Sequence, residues 1–213
     1  MKRRDLLTLA ALGPLGWMMH TLAADTPAKT GIRTIKGTVM LNGKPAQPGM
    51  PVVLGDVIET GPDSQVIYVV DSDAFLQRAN SRVELGGNPL KRILRLTTGA
   101  LLGVFGKGDT TLHTSTATIG IRGTACYMEC EPARSYVCLC YGEAELTPDA
   151  APEMAMRYHT QHHEKPYWIL KDGAVMVPTT AINHSDAELE LLESLVGRVP
   201  AFVRDNSKFG RRY

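Results

Sequence analysis

Four cysteines and a group of histidines are the residues of this chain best equipped to bind or react. Cys126, Cys130, Cys138 and Cys140 are all the cysteines of the 213 residues, and they crowd into "CYMECEPARSYVCLC". His159, His162 and His163 follow in "YHTQHHEKPYW". Convergent thiolates and imidazoles are ligands for zinc, copper, iron–sulphur clusters or haem. The same sulphurs could instead form disulfides, or sit unpaired in a core as small hydrophobes. Which chemistry applies depends on which sulphurs share a face and which compartment holds them.

The stretch reads as two strands around "EPAR". Residues two apart on a strand share a face. Cys126, Met128 and Cys130 therefore share one face of the first strand, and Tyr136, Cys138 and Cys140 one face of the second. If Glu131 to Ser135 form a symmetric turn, Cys126 pairs with Cys140 and Met128 with Cys138. A shift of two pairs Cys130 with Cys138 instead. Both registers keep the parity, so all four sulphurs are expected on one face. Tyr127, Val137, Leu139 and Tyr141 would then form the core side. The ligand set expected for a metal is Cys126, Cys130, Cys138 and Cys140, with His159 and His163 adding ligands because they share a face in a strand or a helix. Against a metal, C-x3-C…C-x-C is not a standard spacing, and one or two disulfides are the leading alternative. The histidines also fit a solvated polar loop before Pro166. His184 precedes a helix, near its cap.

The N-terminus speaks to the compartment. "MKRRDLLTLAALGPLGWMMHTLAADTPA" has a basic start at Lys2, Arg3 and Arg4, an apolar run from Leu6 to Met19, and small residues at Ala23 and Ala24. That is the layout of an export signal, expected over residues 1–24. Its apolar part is short and broken by Gly13, Pro14 and Gly16, so no stable membrane span is expected. "RRDLL" loosely matches a twin-arginine signal, and the general secretory route is the alternative. The mature chain is expected in the periplasm, where disulfides persist.

Between the leader and the helix the texture is β. Twenty glycines and thirteen prolines punctuate short apolar runs. "IRTIKGTVMLNG" ends in an Asn-Gly hairpin signal. "QVIYVVDS" is an apolar β-branched run, "DAFLQRANSRVELGG" reads as two short strands around Asn80, and "RILRLTTGALLGVFGKGD" as two more split at Gly99. The spacing predicts an all-β sandwich, barrel or β-roll. After Leu146 "TPDAAPEM" reads as a linker, and strands flank the turn Lys171-Asp172-Gly173. "SDAELELLESLVGRVPAFV" is the one clear helix, expected over about 186–197. Ser185 or Asp186 caps it, Glu188 sits near its third position, and Leu189, Leu192, Leu195 and Val196 form its apolar stripe, packed against the β-domain. A net charge of +1 gives no footprint for nucleic acid. No Ser-His-Asp set, carboxylate pair or P-loop is legible, so no enzyme activity is expected.

Three blocks resemble the FecR domain family. The first, "GTVMLNGKPAQPGMPVVLGDVIETGPDSQVIYVVDSDAFLQRANSRVEL", carries the matching Gly37, Asn42, Gly43, Gly55, Asp56, Thr60, Gly61, Ser64 and Ser81. The second, "RLTTGALLGVFGKG", matches at Gly99. The third, "TSTATIGIRGTAC", matches at Ile119, Gly120, Arg122, Gly123 and Thr124, and "YGEAEL" closes the domain. The resemblance covers about residues 37–146. It implies an extracytoplasmic all-β domain over 31–146, a β-roll or sandwich, followed by a C-terminal extension over 147–213. Known members relay signals from outer-membrane iron transporters to sigma factors and carry an anti-sigma segment and a membrane span before the domain. Here only the leader is expected to precede it. What the resemblance implies is a periplasmic binding or interaction module, a sensor or regulator, with an envelope protein or small ligand as its partner and no catalytic residues. The matched glycines and Arg122 are expected to serve the backbone rather than a ligand. The alternative function is a metal- or thiol-based redox protein centred on the cysteines. No cofactor beyond a candidate transition metal is expected.

Overall fold

Asn42 and Gly43 both take positive φ, +52° and +74°, which a two-residue hairpin with the right-handed strand twist requires. A computed structural model describes residues 30–173 and 175–205. The expected leader, and the tail beyond Asp205, lie outside the described residues. The strands are β1 (Gly31–Lys36), β2 (Val39–Leu41), β3 (Lys44–Pro45), β4 (Val57–Thr60), β5 (Gln65–Val70), β6 (Asp73–Gln77) and β7 (Arg82–Asn88). The longer β8 (Lys91–Val104) precedes β9 (Asp109–His113), β10 (Ala117–Glu131) and β11 (Arg134–Pro148). Then come β12 (Met156–Thr160), β13 (Tyr167–Leu170) and β14 (Met176–Pro178), and the helices α1 (Asp186–Leu195) and α2 (Ala201–Arg204). The protein is all-β with a small helical extension.

Three long strands organise the sheet, because each changes partners along its length. β8 pairs through its first half with β7 and, in parallel, with β9, and through Leu101–Val104 with β6. β10 pairs with β9 through Thr118–Ile121 and with β8 through Ala125–Cys130. β11 pairs with β13 near its start and with β12 near its end. One half of the sheet therefore holds β2, β4, β7, β9 and β12, and the other holds β1, β5, β6, β13 and β14. The first core lies between the halves, with Ile58, Val83, Leu94, Leu112 and Ile119 from one and Val66, Tyr68, Leu101, Met128 and Val137 from the other.

"RILRLTTGALLGV" is thus one bent strand, not the two expected from the sequence. The bend is at Gly99. Its φ is +80°, and a Cβ there would stand 2.1 Å from the Ser81 hydroxyl oxygen. Only glycine lets the strand cross so close to its neighbour. The residues singled out by the resemblance serve one another in this way. Ser81 Oγ accepts from Ala100 N at 2.8 Å, and Ser64 Oγ accepts from Thr38 N at 2.8 Å beside Gly37. Asn42 donates to Asp56 at 2.7 Å and accepts from Val57 N at 2.9 Å. Arg122 pairs with Asp109 at 2.9 Å on the surface.

A second core covers the outer face of the other half-sheet. Ile67, Val69, Leu76, Leu102, Val104, Tyr127 and Tyr136 meet Leu189, Leu192 and Phe202 from the helices. The helix forms as its sequence requires. Ser185 caps it, Glu188 closes the capping box, and Leu189 and Leu192 are fully buried. Polar clasps ring this apolar contact. Arg78 donates to Glu188 at 2.9 Å and to Asn183 O at 2.7 Å, and Arg198 donates to Ser72 O at 2.6 Å. β11 runs through Leu146 to Pro148, and β12–β14 join the same sheet.

Candidate metal centre

The four sulphurs do not converge. The turn between β10 and β11 is two residues, Pro132 and Ala133, because Glu131 pairs directly with Arg134. That sets Cys126 opposite Leu139 and Tyr127 opposite Cys138. The pairing sum is odd, so the parity argument inverts on one strand. Cys126 and Cys130 point into the first core with Met128, Val137 and Leu139. Cys138 and Cys140 point the other way, under the helices, with Tyr127, Tyr136 and Tyr141. The core face expected from the sequence is likewise divided. All four cysteines are free thiols.

The inner pair is buried in the first core. Cys126 is fully buried, and burial pushes its thiol up. Cys130 Sγ accepts from Ser115 N at 3.2 Å and donates to Thr97 O at 3.4 Å, so its polar capacity is used. His159 is exposed on β12, opposite Glu143. These three expected ligands stand outside the cluster that the outer pair makes.

That cluster joins three parts of the chain. β11 supplies Cys138 and Cys140, two apart on one face. The loop after β12 supplies His163, whose backbone N–H donates to Cys140 O at 2.9 Å. The segment entering α1 supplies His184, with Asp186 at the helix start. One ligand atom from each of Cys138, Cys140, His163 and His184 lies within 4.8 Å of all the others. Cys138 Sγ is 3.5 Å from His163 Nδ1, and His163 Nδ1 is 2.9 Å from His184 Nε2. Cys138 and Cys140 are fully buried and His163 nearly so. The Tyr127 ring stacks on His184 with centroids 4.6 Å apart, and Phe202 lies against His162.

Hydrogen bonds fix the imidazole tautomers. Ile182 O can only accept, so His184 Nδ1, 2.6 Å away, carries a proton and donates. Asp186 Oδ1 accepts from His162 Nε2 at 2.8 Å and from His163 Nε2 at 3.3 Å. Neutral His163 and His184 thus turn lone pairs toward each other, and toward Cys138. Two lone pairs at that separation repel unless a proton or a cation stands among them. Hydrogen bonding with Cys140, then with His163 and His184 when a proton lies between ring and sulphur, holds the Cys138 thiol well below its usual range against burial, while burial drives Cys140 well above its own. Backbone conformation is also committed here: His163 and Asn183, the residue before His184, both have φ of +55°. Non-glycine residues take that region rarely, and often at functional sites.

Sequence reasoning placed Cys138, Cys140 and His163 in its ligand set but missed His184 and Asp186. No spacing rule links a residue beside a helix cap to a strand C-x-C more than forty positions earlier. The turn length was the missing fact for the cysteines.

No family model matches the sequence, and no curated protein matches it. Among solved structures, two described as "a putative anti-sigma factor from Parabacteroides distasonis" are similar. One has a TM-score of 0.51 at 11% identity, with 64% of this chain and 64% of that chain covered. The other has a TM-score of 0.49 at 11% identity over 58% and 59%. The match spans less than two thirds of those chains. At that identity the likeness is one of fold.

Proposed function

We propose that this protein is an exported FecR-like module that acts by binding a partner protein at the cell envelope, as a sensor or regulator. The observation that carries the reading is the mutual support of the matched residues. Ser64 beside Gly37, Asn42 with Asp56, and Ser81 beside Gly99 hold the β-hairpins together as working contacts of one fold. A resemblance confined to chance letters would scatter them. The fold likeness to a structure described as "a putative anti-sigma factor" agrees with this reading. The leader supports export, and no helix among the described residues is long and apolar enough to cross a membrane. Catalysis is not part of the proposal. Cys138, His163 and Asp186 resemble a nucleophile, base and orienting acid, but Cys138 is fully buried, and no substrate reaches it in this conformation.

Two experiments test the reading. Photo-crosslinking residues are placed at Val53 and Leu90, which are 53% and 83% exposed, in the full chain expressed in its source cell. A discrete adduct with an envelope protein, lost when Lys2, Arg3 and Arg4 are replaced, is expected. Deletion of the gene should shift transcription of a limited gene set, restored by the full chain and not by a leaderless one. No adduct at either position, together with an unchanged transcript profile, would sink the proposal.

A second reading, a metal- or thiol-based role, is favoured by the cluster at Cys138. A redox partner would need access to sulphurs that the helices cover, which leaves metal binding as the stronger form of it.

A further inference from the structure

We propose that Cys138, Cys140, His163 and His184 form a closed, four-ligand site for Zn2+ that fastens the C-terminal helical segment onto the β-sheet. The inference is independent of the envelope-module reading.

The donor set comes first. Two thiolates and two imidazoles are borderline-soft ligands, and four of them with no open position are a structural zinc set. Zn–S bonds of about 2.3 Å and Zn–N bonds of about 2.0–2.1 Å put tetrahedral ligand atoms about 3.3–3.8 Å apart. Here Cys138 and His163 are 3.5 Å apart, His163 and His184 are 2.9 Å apart, and no separation in the set exceeds 4.8 Å.

Protons point the same way. The outward nitrogens of both histidines are already committed, to Asp186 and to Ile182 O. Their other ring nitrogens lie within 4.8 Å of each other and of both sulphurs. Metal-binding histidines are oriented by such a carboxylate or carbonyl on the far nitrogen. A divalent ion replaces the two thiol protons and any proton held between the imidazoles. Two thiolates, two neutral imidazoles and Zn2+ sum to zero charge, which suits a site walled by Tyr127, Tyr136 and Leu192.

The ligands' places in the chain give the consequence. Cys138 and Cys140 belong to the sheet, His163 to the loop after β12, and His184 to the entry of α1. One ion therefore ties the helical segment to two separate parts of the β-domain. A site linking elements that are far apart in sequence converts metal affinity into docking free energy.

The test uses the full chain, exported and purified without affinity histidines. Mass-spectrometric metal analysis is expected to find one Zn2+ per chain. Exchange into Co2+ should give thiolate-to-cobalt charge-transfer bands and the visible bands of a tetrahedral ion. Cys138→Ser and His184→Gln should lower metal content at least about tenfold, while Cys126→Ser and Cys130→Ser on the opposite face keep it. Asp186→Asn should bind, but about 10–100-fold more weakly. Stripping the metal should speed amide exchange in α1 at least about tenfold. The Co2+ spectrum of the unmutated protein keeps the test decisive if a variant misfolds. Absence of both zinc and cobalt bands in the unmutated protein would overturn the site and leave a buried thiolate–imidazolium pair. Zinc that survives Cys138→Ser and His184→Gln would place it elsewhere. Bound zinc with unchanged α1 exchange would overturn the fastening role.

Discussion

At the scale of single residues, the strongest constraint on the β-domain is the crossing of Gly99 over Ser81. Alanine there meets both a positive φ and a Cβ contact of 2.1 Å, with Ser81 held in place by its bond from Ala100 N. Gly99→Ala is expected to destabilise by about 3 kcal/mol, since strain and steric displacement add. Urea unfolding followed by circular dichroism measures it, and a loss near zero would mean that β8 can straighten at no cost. The tyrosines give a second expectation. Burial raises the phenols of Tyr68, Tyr127, Tyr136, Tyr141 and Tyr158 well above their ordinary value near 10. In the unfolded chain these groups lose their protons near pH 10, while the native state keeps them. The native state then binds more protons, so stability is intact below pH 10 and falls as pH rises beyond it. An ultraviolet titration should find these five of the seven tyrosines silent until the fold opens, in one cooperative step.

At the scale of elements, α1 is a short helix kept by its cap and its apolar stripe. Ten residues are too few for a stable isolated helix, so packing and capping decide its existence. Ser185→Ala removes the cap and one arm of the capping box, and should cost about 1 kcal/mol. Hydrogen exchange localised to the first turn would register it. The helix, its cap and its stripe were all legible in the sequence, because a 3.6-residue period and a capping box are local signals. The Asn42–Gly43 hairpin was legible for the same reason. β8 was not, because a glycine reads equally as a strand end or a strand bend, and the bend is decided by what Ser81 presents across the sheet. The cysteine faces were not legible either. "EPAR" supports a turn of two or more residues, and the letters alone do not choose between odd and even pairing. That Cys138 and Cys140 share a face was legible all the same, since it holds under any register.

At the scale of the whole molecule, the outer half-sheet is buried on both faces. Val66 and Tyr68 look into one core while Ile67 and Val69 look into the other. The helices are therefore a wall of the fold, and their loss would expose an apolar sheet face. Leu192→Ala, at a site with no exposure, should cost about 2–5 kcal/mol. Both probes of unfolding should move together. Trp168 on β13, stacked under Arg134 with 4.3 Å between guanidinium carbon and ring, reports the sheet by fluorescence, and circular dichroism reports the backbone. Coincident curves shifted by the same amount are expected of one cooperative unit. If the fluorescence midpoint stayed put while the other moved, the helices would be a separate foldon.

The two-residue turn at Pro132–Ala133 acts on the protein as a reading frame acts on a message. Each added residue that enters the pairing register exchanges the faces of everything downstream on β11 until the next bulge. One alanine inserted between Pro132 and Ala133 would turn Cys138 and Cys140 toward the inner core and Val137 and Leu139 toward His163 and His184. Two alanines would restore the phase and need only a looser loop. The single insertion should therefore abolish the thiol–imidazole cluster or the fold itself, whereas the double insertion should fold and keep it, as thermal unfolding and cobalt spectra of the pair would show. In this part of the chain, whether the turn adds an odd or an even number to the pairing sets which side chains meet the helices.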